Sequence, residues 1–119
     1  MPLPLEGVRI LDFTWLNAGA KGARHLALYG AEMIHLEWKG KLDVLRVNPP
    51  YHKMPGETSS VPEGGSSGYE ALKVESVNRA ASHNNNHVGK WGVSLNMRDP
   101  RGKDIFRELV AKSDVIVDN

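Results

Sequence analysis

The hydrophobic pattern is dense at both ends of the chain and dissolves in the middle. Val8, Ile10, Leu11 and Phe13 form a nearly continuous apolar run, which predicts a central strand covered on both faces. Met33, Ile34 and Leu36 form a second run ending at Glu37. Between them, residues 17–30 space Ala, Leu and Gly as a helix would, with Lys21, Arg24 and His25 on the outer side. Asn17 is a suitable N-cap and Gly30 a suitable C-terminal cap for that helix. Strand, helix and strand across residues 7–37 make a βαβ unit. The loop after the first strand of such a unit is a common ligand site, here the loop Trp15 to Gly22.

From residue 38 to about residue 87 the periodicity is lost. Pro49, Pro50, Pro55 and Pro62 alternate with glycines, and the segment closes on SHNNNH. A stretch of this length reads as a long irregular loop inserted in the domain, residues 38–87, of the functional or disordered kind. Order returns at Lys90, where Trp91, Val93, Leu95 and Met97 alternate with small and polar residues, the period of a strand with one buried face. Asp99-Pro100 marks a helix start, and Ile105, Phe106, Leu109 and Val110 give that helix an apolar stripe. Val115 to Val117 is a last short strand, running into the C-terminus. The fold class expected is α/β: a partial Rossmann-like, mostly parallel sheet with flanking helices. The 119 residues fit a single domain, and the final strand gives it the look of a truncated one.

Composition narrows the function classes. With 15 basic and 14 acidic residues the formal net charge is +1, so nothing draws the chain electrostatically to nucleic acid or to a membrane surface. No apolar run approaches the length of a membrane span, and the N-terminus lacks the regions of a signal peptide. The absence of cysteine removes disulfides, thiolate nucleophiles and thiolate metal ligands from consideration. A cytoplasmic location fits these features.

The candidate chemistry is sparse. Gly19 and Gly22, with Glu37 ending the second strand, form a degenerate dinucleotide fingerprint, which Asn17 and Lys21 break. NAD binding is therefore an alternative, and small residues for close packing are the preferred explanation. His83 and His87 are four apart, the spacing of two metal ligands on a helix, but no third ligand is evident and a solvated loop is the preferred reading. No metal is expected. Asp12 reads as a structural hydrogen-bonding group at a strand end, with a polar pair to Asn17 as the sharper option. Lys39, Lys41, Arg46, Lys53 and Lys90 are either a phosphate-binding rim or scattered surface charges.

Two long stretches carry a resemblance. PLEGVRILDFTWLNAGAKGARHLALYGAEMIHLEWKG at the start and GKWGVSLNMRDPRGKDIFRELVAKSDVIVDN at the end resemble, in order and spacing, the N-terminal part of the family III CoA-transferases. That group includes formyl-CoA transferase, carnitine CoA-transferase and α-methylacyl-CoA racemase. The resemblance implies a Rossmann-like large domain in an interlocked homodimer, CoA or acyl-CoA as the ligand, and a CoA nucleotide lying along the loops after the first strands. It also implies that the family's catalytic aspartate falls beyond the matched stretches, so no catalytic residue is assigned here. By the same resemblance Asn17, Ala18, Trp38, Lys39 and Lys90 are the CoA-binding candidates. Departures from the family pattern are Ala20 in place of a proline, Trp38 in place of a basic residue, and His87 in place of an asparagine. A non-catalytic module that self-associates or binds a small ligand is the other expectation, because a truncated sheet exposes an edge and apolar faces.

Overall fold

The computed structural model describes residues 1–47 and 78–119. Eight elements follow in order: strand β1 (Arg9–Asp12), helix α1 (Leu16–Leu28), strand β2 (Glu32–Glu37), a 3-10 turn (Val44–Val47), helix α2 (Ala81–Asn86), strand β3 (Lys90–Ser94), helix α3 (Pro100–Ala111) and strand β4 (Val115–Val117). The four strands form one sheet in the order β3-β2-β1-β4, and every pairing is parallel. The chain therefore winds outward through β2 to β3, then returns through α3 to lay β4 beside β1. The direction of winding reverses between β1 and β4, which is the switch point where open parallel sheets bind ligands. The α/β class and the βαβ unit expected from the sequence are both present.

Strand alternation divides the residues between two faces. Ile10 and Asp12, Met33, His35 and Glu37, and Lys90 and Gly92 fall on one face, because Met33 pairs with Ile10 on one side and Lys90 on the other, and His35 with Asp12 and Gly92. Helix α1 covers this face. Its Ala23 packs with Ile10, Ala31 and Met33 into the buried core, joined by Leu26, Ala27 and Val117. On the opposite face Phe13 meets Phe106 of α3 edge to face, with ring centroids 5.3 Å apart.

The ends of α1 and α3 behave as their chemistry dictates, with one exception. Asp99 accepts a hydrogen bond from the Arg101 N–H, and Pro100 opens α3, as expected. Gly30 follows α1 with φ at +102°, the left-handed conformation of a C-terminal glycine. The exception is Asn17. It lies inside α1, not at its cap, and Trp15 occupies the capping position without a side-chain hydrogen bond. The amide of Asn119 does the work from the far end of the chain: its Oδ1 accepts from the Trp15 N–H at 2.7 Å, and its Nδ2 donates to the Trp15 carbonyl at 3.1 Å. β4 thus holds the β1–α1 loop in place.

Two further expectations change. β3 is an edge strand, and Trp91 is 68% exposed, not buried. α3 covers that face of the sheet above β1, where Phe106 sits, and leaves Trp91 bare. Ile105 likewise points outward and is half exposed, while Phe106, Leu109 and Val110 are partly covered. Residues 81–86, expected within the irregular loop, form the helix α2; Pro49, Pro50, Pro55, Pro62 and Lys53 lie outside the described residues.

Candidate functional site

The α1-covered face is apolar at the start of the strands and ionic at their ends. Ile10 and Met33 lie in the apolar half; two residues further along, Asp12 and His35 follow, then Glu37. Asp12 is fully buried and satisfied on every side. Its Oδ1 accepts from the Thr14 N–H at 2.8 Å and the Thr14 hydroxyl at 2.5 Å. Its Oδ2 accepts from Lys90 Nζ at 2.7 Å and from His35 Nδ1 at 3.1 Å. Burial alone would push the carboxyl pKa up, but hydrogen bonds from His35, Lys90 and Thr14 outweigh it, and Asp12 is held well below the usual carboxylate range. This is the structural role expected for Asp12; its polar pair is not with Asn17, whose Oδ1 accepts instead from Asn86 at 3.3 Å.

A second ionic pair lies at the end of β2. Arg46 Nε donates to Glu37 at 2.9 and 3.1 Å, and Nη2 donates to Oε2 at 2.6 Å, a forked contact. The Asp43 N–H also donates to Glu37, at 3.1 Å. Burial again opposes ionisation, and the contacts with His35 and Arg46 overcome it, so Glu37 stays a carboxylate well below its ordinary range. A Glu37 engaged in this way has no oxygen turned to a ribose, which weakens the dinucleotide reading.

Three imidazoles fill the space between these pairs. The ring of His87 lies 4.2 Å from that of His35 and 4.3 Å from that of His83, centroid to centroid, the second contact a near-parallel stack. His87 Nε2 donates to Asp43 Oδ2 at 3.3 Å. His35 Nε2, both nitrogens of His83 and His87 Nδ1 have no hydrogen-bond partner among the described residues. The expectation that His83 and His87 sit in a solvated loop is thus overturned: both are about nine-tenths buried, because α2 turns one side towards the sheet. Burial depresses the His35 pKa, but the carboxylates of Asp12 and Glu37 reverse this and raise it. His83 moves the other way, down to about 4, through burial and the nearby Arg46 and His87 charges. His87 is lowered by burial and by His35 and Lys90, with Asp43 partly opposing. The rings border a cleft of about 340 Å³ lined also by Arg46, Asn78, Asn84, Lys90 and Gly92.

Asp12, His35 and His87 bring their ligand atoms within 4.8 Å of one another. An ion placed there would have to displace the Lys90 ammonium, which already neutralises Asp12.

The five residues singled out for CoA divide in two. Asn17 and Ala18 are exposed in the first turn of α1, beside the switch point. Lys39 is exposed just after β2, next to Trp38, whose ring lies under the Arg98 guanidinium at 5.8 Å and against Gly40. Lys90 stands apart. Its side chain is 1% exposed, and its ammonium is committed to Asp12 and to the Ala20 carbonyl at 3.1 Å. It is a buried anchor, where a rim position was expected. The sequence reading also missed His35 and Asp43, although the alternation Met33, His35, Glu37 beside Ile10, Asp12 places His35 on the inner face.

Fold and switch point define an open, parallel α/β domain with its ligand edge at the carboxyl ends of β1 and β4. The family model of CoA-transferase family III matches residues 5–119, and the chain belongs to that family. It is 33% identical over its full length to the formyl-CoA:oxalate CoA-transferase of Bradyrhizobium sp. (strain ORS 278), covering 23% of that protein. Over 117 residues it is 35% identical to the human succinyl-CoA:glutarate CoA-transferase, covering 98% of this chain and 21% of that one. The chain thus spans less than a quarter of the curated relatives it matches. A CAIB/BAIF family protein from Brucella suis shares the fold, with a TM-score of 0.72 at 24% identity over the whole of this chain and 26% of its own. Among the described residues no helix is long and apolar enough to cross a membrane.

Proposed function

We propose that this chain supplies the CoA-facing part of a family III CoA-transferase fold and does not carry out CoA transfer by itself. The observation that carries this reading is the exposed first turn of α1 at the switch point, with Asn17 and Ala18 beside Asn119. α1 has no side-chain cap of its own and no acidic residue in its first turn; the one carboxylate that reaches it is Asp43, which accepts from the Leu16 N–H at 3.4 Å, and the following turn stays open to an anion. Trp38 and Lys39, after β2, extend the same surface with an aromatic ring and a cation. Lys90 contributes from beneath, by fixing Asp12 and α1 to β3. On this reading the family's catalytic aspartate lies outside the matched stretches, and the acyl-transfer step is assigned to no residue here.

Calorimetric titration with CoA tests this reading. Saturable binding of CoA, weakened by Ala18→Glu and absent for NAD, is the expected result. Failure of CoA to bind, or equal binding of NAD, would remove it. Turnover in a CoA-transfer assay with this chain alone would overturn the second half of the proposal.

A second reading, self-association, has its own support. Trp91 on β3, Ile105 on α3, and Val115 and Ile116 on β4 are 42–68% exposed, at the two edges of an open sheet. We propose homodimerisation through these edges as the natural way to cover them. Light scattering after size exclusion distinguishes a dimer from a monomer.

A further inference from the structure

α2 has almost no apolar means of staying where it is. Its sequence is ASHNNN, and the side chains it buries are His83 and Asn86. It docks through His83 and His87 stacked against His35, through Asn86 to Asn17, and through Asn85, which accepts from Arg24 at 2.8 Å. Asn84 and Arg46 both tie its approach to Asn78.

The charges that face the three rings come from every neighbouring element. β1 supplies Asp12, β2 supplies Glu37, the 3-10 turn and its approach supply Arg46 and Asp43, and β3 supplies Lys90. With His35 protonated between Asp12 and Glu37, the three carboxylates named here balance three cations among the described residues. Any second proton in the stack then sits on a ring about 4 Å from another, and the described residues hold no further carboxylate to answer it. At that spacing, like charges in a partly dry site repel by several kcal/mol at an effective dielectric of about 20. The low proton affinity of His83 and His87 in the folded state agrees with this geometry.

We propose that α2 is an acid-released clamp: a second proton on the His35–His87–His83 stack undocks α2 from the sheet and frees the loop Trp15 to Gly22. The connection to the loop is direct. His87 holds Asp43, and Asp43 Oδ1 accepts from the Leu16 N–H at 3.4 Å and the Leu45 N–H at 2.9 Å. Asn86 holds Asn17. Loss of α2 removes the tether on Asn17 outright and takes from Asp43, which holds the Leu16 N–H, its partner His87. That this loop faces CoA rests on the function proposed above; the release of α2 does not.

Hydrogen exchange followed by mass spectrometry, expressed as protection factors so that the intrinsic pH dependence cancels, reads the clamp. The amides of Asn84 and His87, bonded to the Ala80 and His83 carbonyls, are the reporters, and α3 is the internal control. From pH 7 to pH 5 their protection falls at least tenfold while that of α3 holds. In the variant carrying His83→Asn and His87→Gln the fall is less than twofold. Equal changes in α2 and α3, or a full response in the variant, overturn the proposal. An NMR titration of the unmodified chain covers the case in which the variant does not fold. His83 and His87 then titrate below the ordinary imidazole value of 6.5; either ring titrating at or above that value overturns the proposal. CoA affinity at the same two pH values separates the two ideas. Absence of CoA binding at both pH values removes the CoA reading and leaves the exchange result to decide on the clamp.

Discussion

Lys90 Nζ reaches Asp12 Oδ2 at 2.7 Å although the whole of β2 lies between their strands. The lysine side chain runs beneath α1, towards the strand ends, and also donates to the Ala20 carbonyl. One side chain therefore ties an edge strand, a central strand and a helix together. Both partners are out of water, at 1% and 0% exposure, so neither charge has solvent to fall back on.

Removing one partner of such a pair leaves a buried charge uncompensated, which costs about 3–5 kcal/mol. Lys90→Met is expected to destabilise the chain by that amount in urea denaturation. Adding Asp12→Asn should recover part of the loss, since the neutral amide no longer needs a cation. A double variant as unstable as the sum of the single ones would show that the pair is not coupled.

Stability should also follow pH in two steps. His83 and His87 bind protons more weakly folded than unfolded, so their contribution is complete above the unfolded value of 6.5 and is lost as pH falls below it. For His83, whose folded value is about 4, the loss grows across that interval to roughly 3 kcal/mol, at 1.36 kcal/mol per unit. Asp12, Glu37 and Asp43 have lowered values, so their contribution is present above the unfolded carboxylate values of 3.8 and 4.5 and disappears further into acid. His35, raised, works in the opposite sense and stabilises below pH 6.5, losing its effect as pH rises through its folded value. Urea midpoints measured from pH 7.5 to 4 should fall below pH 6.5 in the natural sequence and fall less in His83→Asn.

Much of the frame is readable before any coordinates. Alternation and spacing give β1, α1, β2 and α3, and the pair Asp99-Pro100 marks the start of α3 correctly. The cluster is harder to see because its members come from separate segments: Asp12 from β1, His35 and Glu37 from β2, Asp43 and Arg46 from the approach to the 3-10 turn and the turn itself, and His83 and His87 from α2 and the residue that follows it. Their convergence depends on strand order, and the order β3-β2-β1-β4 is a long-range fact that local periodicity does not carry. α2 escapes for a different reason. ASHNNN has weak helix propensity and no apolar stripe, so tertiary contacts hold it and nothing local announces it. Trp91 fails in the reverse direction: its alternation is that of a half-buried strand, yet the edge position leaves it uncovered.

Leu16 has φ at +58°, a left-handed conformation in a residue with a branched side chain. The conformation costs roughly 1–2 kcal/mol for a residue bearing Cβ. The side chain is half exposed, so little burial is at stake. Leu16→Gly is accordingly expected to raise stability by about 1 kcal/mol, seen as a higher urea midpoint, after glycine's greater unfolded-state freedom offsets part of the gain. A drop in stability would mean that the side chain contributes more packing than its exposure suggests.

The exposed edges predict concentration-dependent behaviour. Trp91→Ser together with Ile116→Thr removes two of the largest uncovered apolar groups while keeping residues compatible with a sheet edge. Light scattering should show a lower apparent mass at high concentration for this variant than for the natural sequence. An unchanged mass would place any association on another surface.

Gly19 joins the β1–α1 loop to the end of β4. A Cβ built there would come to 2.7 Å from Asn119 Oδ1 and 2.8 Å from Thr14 Cβ, closer than real side chains approach. Asn119 is the residue that holds Trp15 by both its N–H and its carbonyl, and Thr14 is the residue that donates twice to Asp12. Gly19→Ala must therefore displace the clamp on Trp15 or push on the buried Asp12 shell, and overpacking of this kind costs about 1–3 kcal/mol. Asn119→Ala makes room on one side only, at the cost of leaving Trp15 without its partner. The pair of substitutions should consequently be less damaging than the sum of the single ones but worse than Asn119→Ala alone, because the contact with Thr14 persists. Thermal denaturation of the four proteins in this cycle measures the coupling directly, and strict additivity would show that Gly19 and Asn119 do not meet.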